Sequence, residues 1–352
     1  MTIKCRFNVV RPSFVLDVDL SFPSKGVSAI FGSSGSGKTT LLRAIAGLEK
    51  NKGQLKVGND IWQDDSHFVP THERSIGYVF QEASLFEHLN VKGNIEYGFK
   101  RSNCNDRSIM HRAIQMLEIE HLLERRVDQL SGGERQRVAI VRALSLDPKM
   151  LLMDEPLASL GENHKKEILP FLELLHEELD IPMIYVTHSI DEVARLADHL
   201  ILLDGGKVIG DGEITEMLTQ LDCSLAHGER AVSLIHAMVS EHDENFHLTT
   251  IKFSGGSLSM PKKQLPVGSK VRLRIEARDV SLALGHQDDT SILNILPCTV
   301  DNLVDEGDAQ VMVRLKVGED LMLSCITKKS AELLKLQTGK SVYAQIKSVA
   351  LL

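Results

Sequence analysis

GVSAIFGSSGSGKTTLLRAIAGL, residues Gly26–Leu48, joins a short apolar run, a glycine-rich turn and a segment with apolar residues at helical spacing. This order predicts a strand, a loop and a helix. The middle part, Gly32–Thr39, fits the pattern G-x-x-x-x-G-K-[ST] and lies where that pattern needs to lie, between strand and helix. The segment therefore predicts a phosphate-binding loop.

The residue types of this loop suit phosphate chemistry. Glycines let the backbone curl so that its N–H groups face an anion, and the following helix N-terminus adds positive potential. Lys38 is expected to reach the β- and γ-phosphates of a nucleotide, and Thr39 is expected to ligate Mg²⁺. The predicted nucleotide contacts are Gly32, Ser33, Ser34, Gly35, Ser36, Gly37, Lys38, Thr39 and Thr40.

Further short apolar runs alternate with helical patterns, as expected of a parallel sheet covered by helices on both faces. The predicted strands are Tyr78–Phe80, Met150–Asp154, Met183–Thr187 and His199–Asp204. The predicted helices are Arg107–Leu123, Gly132–Ser145, Glu162–Leu179 and Ile190–Ala197.

After about Gly228 the sequence alternates as strands do, for example in KVRLRIEA and VMVRLKVG, with recurrent turn signals. We predict an α/β domain with a phosphate-binding loop over residues 1–228, a polar linker over 229–247 and a small β barrel over 248–352. Two domains also suit a chain of 352 residues.

Composition excludes several classes of protein. A net charge of −8 gives no electrostatic footprint for nucleic acid. The five cysteines, Cys5, Cys104, Cys223, Cys298 and Cys325, are scattered and are interpreted as free thiols of a reducing cytoplasm. No apolar run reaches the ~18 residues of a membrane-spanning helix, so we expect any membrane role to depend on a partner.

The run MLLMDEP ends a buried strand with two carboxylates, Asp154 and Glu155, at the edge of the sheet where ligands of α/β folds collect. Asp154 is predicted to help hold Mg²⁺, and Glu155 is predicted to polarise an attacking water. A helix cap is the alternative for such a pair. The phosphate-binding loop elsewhere in the chain favours the catalytic interpretation.

The segment Leu130–Gln136, LSGGERQ, places a serine and two glycines at the start of a predicted helix. This is a second anion-binding helix terminus in one domain. An ordinary serine cap would account for Ser131 but not for Gly132 and Gly133.

LSGGERQ together with the phosphate-binding loop and MDEP resembles the signature of ABC-transporter ATPases. The resemblance implies a P-loop NTPase of the α/β class with a helical subdomain, binding ATP and Mg²⁺. It implies that Gln81 is the glutamine of a metal-contacting loop and that His188 is the switch histidine. It also implies a head-to-tail homodimer in which Ser131 and Gly133 contact the nucleotide held by the other copy.

The chain departs from that family at two places. Gly161 stands where relatives usually have an aspartate, in Ser159-Leu160-Gly161, which puts signalling between two ATP sites in question. Relatives often stack the adenine on an N-terminal aromatic side chain, for which Phe7 and Phe14 are the candidates. In the family, the region matching Ala83–Phe99 grips a permease, and its exposed-looking side chains are Leu85, Phe86, Leu89 and Val91. The core of a helical subdomain is the alternative for some of them.

The tail, residues 290–352, resembles the Mop-type oxyanion-binding β domain, an OB-like barrel. The resemblance implies that Thr290, Ser291, Lys347 and Ser348 hold the oxyanion, although Leu293 occupies a position where relatives often have arginine. A dimerisation module that binds nothing is the alternative for this tail.

Together the two resemblances cover nearly the whole chain and imply the ATP-binding subunit of a bacterial molybdate importer. The implied partners are a second copy, an integral membrane permease and a periplasmic oxyanion-binding protein, at the cytoplasmic face of the membrane. Tungstate, sulfate or ferric iron are alternative cargoes. A molybdenum-responsive regulator or storage protein is an alternative class, but no helix-turn-helix or repeated barrel is visible.

Overall fold

The computed structural model describes residues 2–12, 14–100, 107–228 and 231–352, and Cys104 lies outside them. The chain divides into two compact units, Met1–Asp211 and Gly212–Leu352. Cys5, Cys223, Cys298 and Cys325 are free thiols. No helix in the described ranges has both the length and the apolar character to cross a membrane.

Within the described residues, the first unit is built on a ten-stranded sheet. Its strands are β1 (Ile3–Val10), β2 (Val15–Phe22), β3 (Val27–Phe31), β4 (Lys52–Val57), β5 (Asp60–Gln63), β6 (Ile76–Val79), β7 (Met150–Asp154), β8 (Met183–Thr187), β9 (His199–Asp204) and β10 (Lys207–Glu213). Their order is β5-β4-β1-β2-β10-β9-β3-β8-β7-β6. Strands β9, β3, β8, β7 and β6 are parallel, whereas β1, β2, β4 and β5 pair antiparallel.

Helices cover both faces of the parallel strands. They are α1 (Lys38–Ala46), α2 (Val91–Phe99), α3 (Ser108–Met116), α4 (Gly132–Leu144), α5 (Glu162–Glu178) and α6 (Ile190–Leu196). Every residue of β7 and β8 is buried. Alternate residues of β7 enter different cores: Leu151 packs with α2–α5, and Leu152 packs with α1 and the antiparallel strands. The predicted α/β architecture is confirmed.

The helical part of this unit decides between the two interpretations of Val91. It is 0% exposed and belongs to the core that α2 shares with α3 and α4. Leu85 is partly buried against the same core. A helix that must cover its own subdomain buries one apolar stripe, so fewer of these side chains face outward than the sequence suggested.

In its described residues, the second unit carries two five-stranded antiparallel sheets. Its elements are α7 (Ile214–Thr219), β11 (Val232–Asp243), β12 (Leu248–Phe253), β13 (Gly256–Pro261), β14 (Lys270–Glu276), β15 (Val280–Ala283), β16 (Asn294–Glu306), β17 (Gln310–Val317), β18 (Asp320–Thr327), α8 (Lys328–Leu333), β19 (Ser341–Ile346) and β20 (Ala350–Leu351). The sheet orders are β13-β12-β11-β14-β20 and β15-β19-β16-β17-β18. The β-rich tail is therefore confirmed.

The predicted boundary and linker differ from the structure. The division falls at Asp211 rather than near residue 228. The interval 229–247, predicted as a linker, contains the central strand β11, while residues 229–230 lie outside the description. Polar residues at the end of β11 face solvent in a hairpin with β12, which explains why this stretch looked like a linker in sequence.

Candidate nucleotide site

The phosphate-binding loop connects β3 to α1, and its glycines are required by geometry. Gly35 and Gly37 have φ values of 82° and 103°, in the left-handed region that disfavours side chains. A Cβ on Gly32 would lie 2.1 Å from the carbonyl oxygen of Leu203. The loop is thus curled tightly against β9, with its concave side toward the start of α1.

Lys38 lies at the centre of this curl. Its Nζ donates to the carbonyl oxygens of Gly32 and Ser33, both at 2.9 Å, and lies 3.8 Å from Oε1 of Glu155. The Lys38 side chain is only 4% exposed. Burial lowers its pKa, and the nearby charges of Glu155 and Asp154 oppose that shift. The site therefore holds a desolvated cation next to two carboxylates.

Asp154 ends β7 and accepts two hydrogen bonds. Its Oδ1 accepts from Oγ1 of Thr39 at 2.9 Å, and its Oδ2 accepts from the hydroxyl of Tyr78 at 3.1 Å. Burial raises the pKa of Asp154, and the two hydrogen bonds oppose that shift.

These oxygens fit Mg²⁺. The hydroxyl of Thr39 and the carboxylate of Asp154 are the hard ligands that Mg²⁺ takes, and the metal usually completes its shell with substrate phosphates and water. No group of three or more His, Cys, Asp or Glu side chains in the described ranges could hold a metal by itself. A divalent cation at Thr39 and Asp154 would therefore depend on the nucleotide for further ligands.

Glu155 follows Asp154 in an unusual backbone conformation. Its φ is 45°, a left-handed value that costs a non-glycine residue of order 1–3 kcal/mol. Its backbone N–H donates to the carbonyl of Val186 at 3.0 Å, which ties the turn to β8. Its Oε2 lies 3.0 Å from Nδ1 of His188. The carboxylate is thus aimed between the loop lysine and the histidine.

A cavity of about 240 Å³ lies over the loop. Its lining residues are Phe14, Ser34, Gly35, Gly37, Lys38, Thr39, Thr40 and Glu155. Phe14 is the aromatic side chain at this cavity, whereas Phe7 is fully buried in the core. Of the two aromatic candidates considered from sequence, the structure brings Phe14 to the site.

Glu192 supports the loop that carries His188, although it was not among the site residues predicted from sequence. Oε2 of Glu192 accepts from the hydroxyls of Tyr185 at 2.9 Å and Thr187 at 2.7 Å. Ser189 caps α6 by accepting from the backbone of Glu192 at 3.4 Å. The pattern S-x-x-E in Ser189–Glu192 was the sequence signal that could have found this residue.

Gln81 and the signature segment lie apart from this cavity. Gln81 is exposed in the loop after β6 and is not among the lining residues. Ser131 is the N-cap of α4 in a capping box: its N–H donates to Glu134 at 2.7 Å, and its Oγ accepts from the N–H of Glu134 at 3.2 Å. Ser131 and Gly132 are exposed, whereas Gly133 is buried.

The four predicted oxyanion residues flank two paired strands of one sheet. Pairing of Asn294 with Ile346 joins β16 to β19, so Thr290 and Ser291 precede one strand at the end where Lys347 and Ser348 follow the other. All four are exposed, and Leu293 is 70% exposed. The backbone N–H of Lys347 donates to the carbonyl of Asp279 at 2.9 Å.

A phosphate-binding loop, a buried carboxylate beside its threonine and a glutamate paired with a histidine define a phosphate-loop ATPase. Residues 15–158 match the model of the ABC transporter family, and residues 290–352 match that of the TOBE domain. The chain is 52% identical to the molybdenum import ATP-binding protein ModC of Methylococcus capsulatus, over 99% of each chain. It is 50% identical to the molybdenum import ATP-binding protein ModC 1 of Azotobacter vinelandii, over 99% of this chain and 98% of that one.

A solved dimeric ATP-binding cassette, in a post-hydrolysis state bound to ADP and Pi, is also similar, with a TM-score of 0.51 and 27% identity. The similarity covers 60% of this chain and 98% of the solved one. The chain belongs to the family of ABC transporter ATP-binding proteins, in the group of the molybdenum import proteins. It is accordingly an ATP-binding ATPase with a C-terminal TOBE domain.

Proposed function

We propose that this chain hydrolyses ATP to drive molybdate import through a membrane permease, working as a pair of copies at the cytoplasmic face of the membrane. The proposal of ATP hydrolysis rests on the contact between Oε2 of Glu155 and Nδ1 of His188 at 3.0 Å, next to Lys38 of the phosphate-binding loop. The cargo and the partners are supported by the names of full-length relatives at about half identity.

The residues that line the cavity have different roles in the proposed hydrolysis. Loop N–H groups and Lys38 bind the β- and γ-phosphates, and Phe14 contacts the base. Oε2 or Oε1 of Glu155 accepts a proton from the attacking water, and His188 orients that carboxylate. Thr39 and Asp154 would hold Mg²⁺, which would neutralise developing phosphate charge, and Gln81 is the proposed further contact of the metal.

A second copy completes each site. Ser131, Gly132 and Gly133 lie outside the cavity that Lys38 lines, so they serve the nucleotide of the other copy. A related cassette was solved as a dimer bound to ADP and Pi. Head-to-tail pairing gives both anion-binding helix termini of this unit a phosphate to bind.

The permease has a candidate docking surface in a groove of about 500 Å³, which we call the aromatic groove. Its lining residues are Leu48, Thr71, His72, Arg74, Ile76, Tyr78, Phe80, Ser84, Phe86, Tyr97, Gly98, Arg142, Ala143 and Leu146. Phe80 is 37% exposed, and the guanidinium of Arg142 lies over the ring of Phe86 at 5.3 Å. An apolar, aromatic groove is the kind of surface that accepts the apolar face of a partner helix.

A reconstituted complex tests the proposal. We expect a molybdate-loaded periplasmic binding protein to stimulate the ATPase of the permease complex, and the sulfate-loaded and iron-loaded proteins of other importers to leave it at the basal rate. The matched control is Glu155→Gln, which keeps nucleotide binding and removes hydrolysis. Stimulation by another oxyanion and not by molybdate would replace the cargo assignment.

The tail supports a second role, feedback by cytoplasmic molybdate. Pairing of β16 with β19 puts Thr290, Ser291, Lys347 and Ser348 at one end of a sheet, where hydroxyls and a cation suit a tetrahedral dianion. We expect molybdate to inhibit the ATPase of the complex, and Lys347→Ala to weaken that inhibition. Equal inhibition in both proteins, or none in either, would leave the tail as a dimerisation module.

A further inference from the structure

Tyr78 spans from the metal-ligating carboxylate to the surface of the protein. It lies on β6, the edge strand of the ten-stranded sheet, directly beside Leu152 of β7. Its hydroxyl reaches along β7 and donates to Oδ2 of Asp154 at 3.1 Å. Oδ1 of the same carboxylate accepts from Thr39. Both oxygens of Asp154 are therefore held, one by the phosphate-binding loop and one by Tyr78.

The ring of Tyr78 faces the aromatic groove. It contacts the ring of Phe80, with centroids 4.3 Å apart and planes tilted by 40°. Both residues line the groove, together with Phe86 and Arg142. One rigid side chain thus touches the metal site with its hydroxyl and the groove with its ring.

We propose that Tyr78 is a positioning residue that orients Asp154 for the metal and transmits contact in the aromatic groove to that carboxylate. The first half of this proposal, the orientation of Asp154 by Tyr78, concerns the ATPase site alone. The second half rests on the proposed function, because it takes the groove to be the permease surface. Partners that orient a metal-binding carboxylate typically change metal affinity 10–100-fold when removed.

A matched bond elsewhere in the same unit provides the control. The hydroxyl of Tyr185 also donates to a carboxylate, Oε2 of Glu192, at 2.9 Å. That carboxylate also accepts from Thr187, beside the His188 loop. Its hydrogen bonds from Tyr185 and Thr187 do not involve Thr39 or Asp154. Tyr185→Phe therefore removes an equivalent hydroxyl without touching the metal-ligating pair.

The isolated chain tests the first half. ATP affinity is measured with Mg²⁺ and with EDTA for the wild type, Tyr78→Phe and Tyr185→Phe. We expect all three to bind metal-free ATP alike, because the phosphate-binding loop is unchanged. We expect the gain in affinity from Mg²⁺ to fall about 10-fold in Tyr78→Phe only. An unchanged gain in Tyr78→Phe, or an equal loss in Tyr185→Phe, would overturn the positioning role.

The assembled permease complex tests the second half. Tyr78→Phe keeps the ring in the groove, so docking is retained while the link to Asp154 is cut. At saturating Mg²⁺ we expect the ratio of stimulated to basal ATPase to fall by about 5-fold or more. A wild-type ratio in Tyr78→Phe would overturn the coupling. A wild-type complex that shows no stimulation would instead contradict the proposed function, and the Mg²⁺ result would stand.

Discussion

Gly161 offers a prediction whose size follows from its geometry. It is the N-cap of α5, with φ −68° and ψ 158°, and no side chain caps that helix. A Cβ at this position would meet no atom within 4 Å. An aspartate can therefore adopt the existing backbone. Its carboxylate can accept a hydrogen bond from the backbone N–H of His164, the third residue of the helix after the N-cap.

Three terms set the magnitude of Gly161→Asp. Replacing a glycine at a compatible φ restricts the unfolded chain and contributes about 0.4–1 kcal/mol. The carboxylate at a helix N-terminus adds about 0.3–1 kcal/mol, and the side-chain cap adds a few tenths over glycine. Gly161→Ala also restricts the unfolded chain, but it adds neither the charge at the helix N-terminus nor a side-chain cap, and alanine is a poor N-cap residue. We expect the two variants to differ by about 1 kcal/mol.

Calorimetry of the nucleotide-free chain measures this difference. The unit Met1–Asp211 has a size for which 1 kcal/mol shifts Tm by about 2–4 °C, so Gly161→Asp should unfold that much above Gly161→Ala. We also expect Gly161→Asp to change the cooperativity of ATP hydrolysis, because in the proposed head-to-tail pair the added carboxylate would lie near the phosphate-binding loop of the second copy. Equal Tm values for the aspartate and alanine variants would refute the capping argument, and an unchanged Hill coefficient would refute the functional one.

The other predictions use the same unit and its neighbour. Glu155→Gln should bind ATP normally and lose about 10²–10⁴ in turnover, trapping an ATP-dependent dimer visible by size-exclusion chromatography; normal turnover would remove Glu155 from the role of base. Ser131→Arg should bind ATP as an isolated chain and fail to hydrolyse it, and loss of monomer binding would contradict a head-to-tail site. Glu192→Ala leaves two buried hydroxyls without their acceptor, so kcat should fall while ATP affinity is kept, and an unchanged kcat would argue against a positioning role. His227 donates a hydrogen bond to the carboxylate of Glu306, and this bond raises the pKa of His227. The stability that protonated His227 contributes to the second unit is therefore complete below about pH 6.5 and is lost as pH rises through the raised pKa. Between about pH 6 and about pH 9, denaturant unfolding should show a larger loss of stability for the wild type than for His227→Gln.

The parallel core could be predicted from sequence because burial on both faces leaves a continuous apolar run. Met150–Asp154, Met183–Thr187 and His199–Asp204 have the predicted bounds. The phosphate-binding loop was equally readable, because its glycines meet a backbone requirement that few other residues satisfy.

Other features depend on contacts between distant segments, which one sequence does not display. Tyr78 and Asp154 meet only because β6 and β7 are neighbours, and the burial of Val91 depends on how α2 packs against α4. Strand β11 was missed because its polar end resembles a linker, although its apolar start lies in the middle of a sheet. Pairing partners decide such cases, and local composition does not.

The capping box at the start of α4 holds the side chain of Ser131 in place. Its oxygen already accepts the N–H of Glu134, so the side chain is held in one place while its hydroxyl hydrogen is still available for another acceptor. The bond from the Ser131 backbone lowers the pKa of Glu134, which keeps the second half of the box charged and closed at neutral pH. In the head-to-tail pair that we propose, a phosphate oxygen would therefore meet a serine whose side chain is already held by the capping box, and less side-chain entropy would be lost when two copies come together.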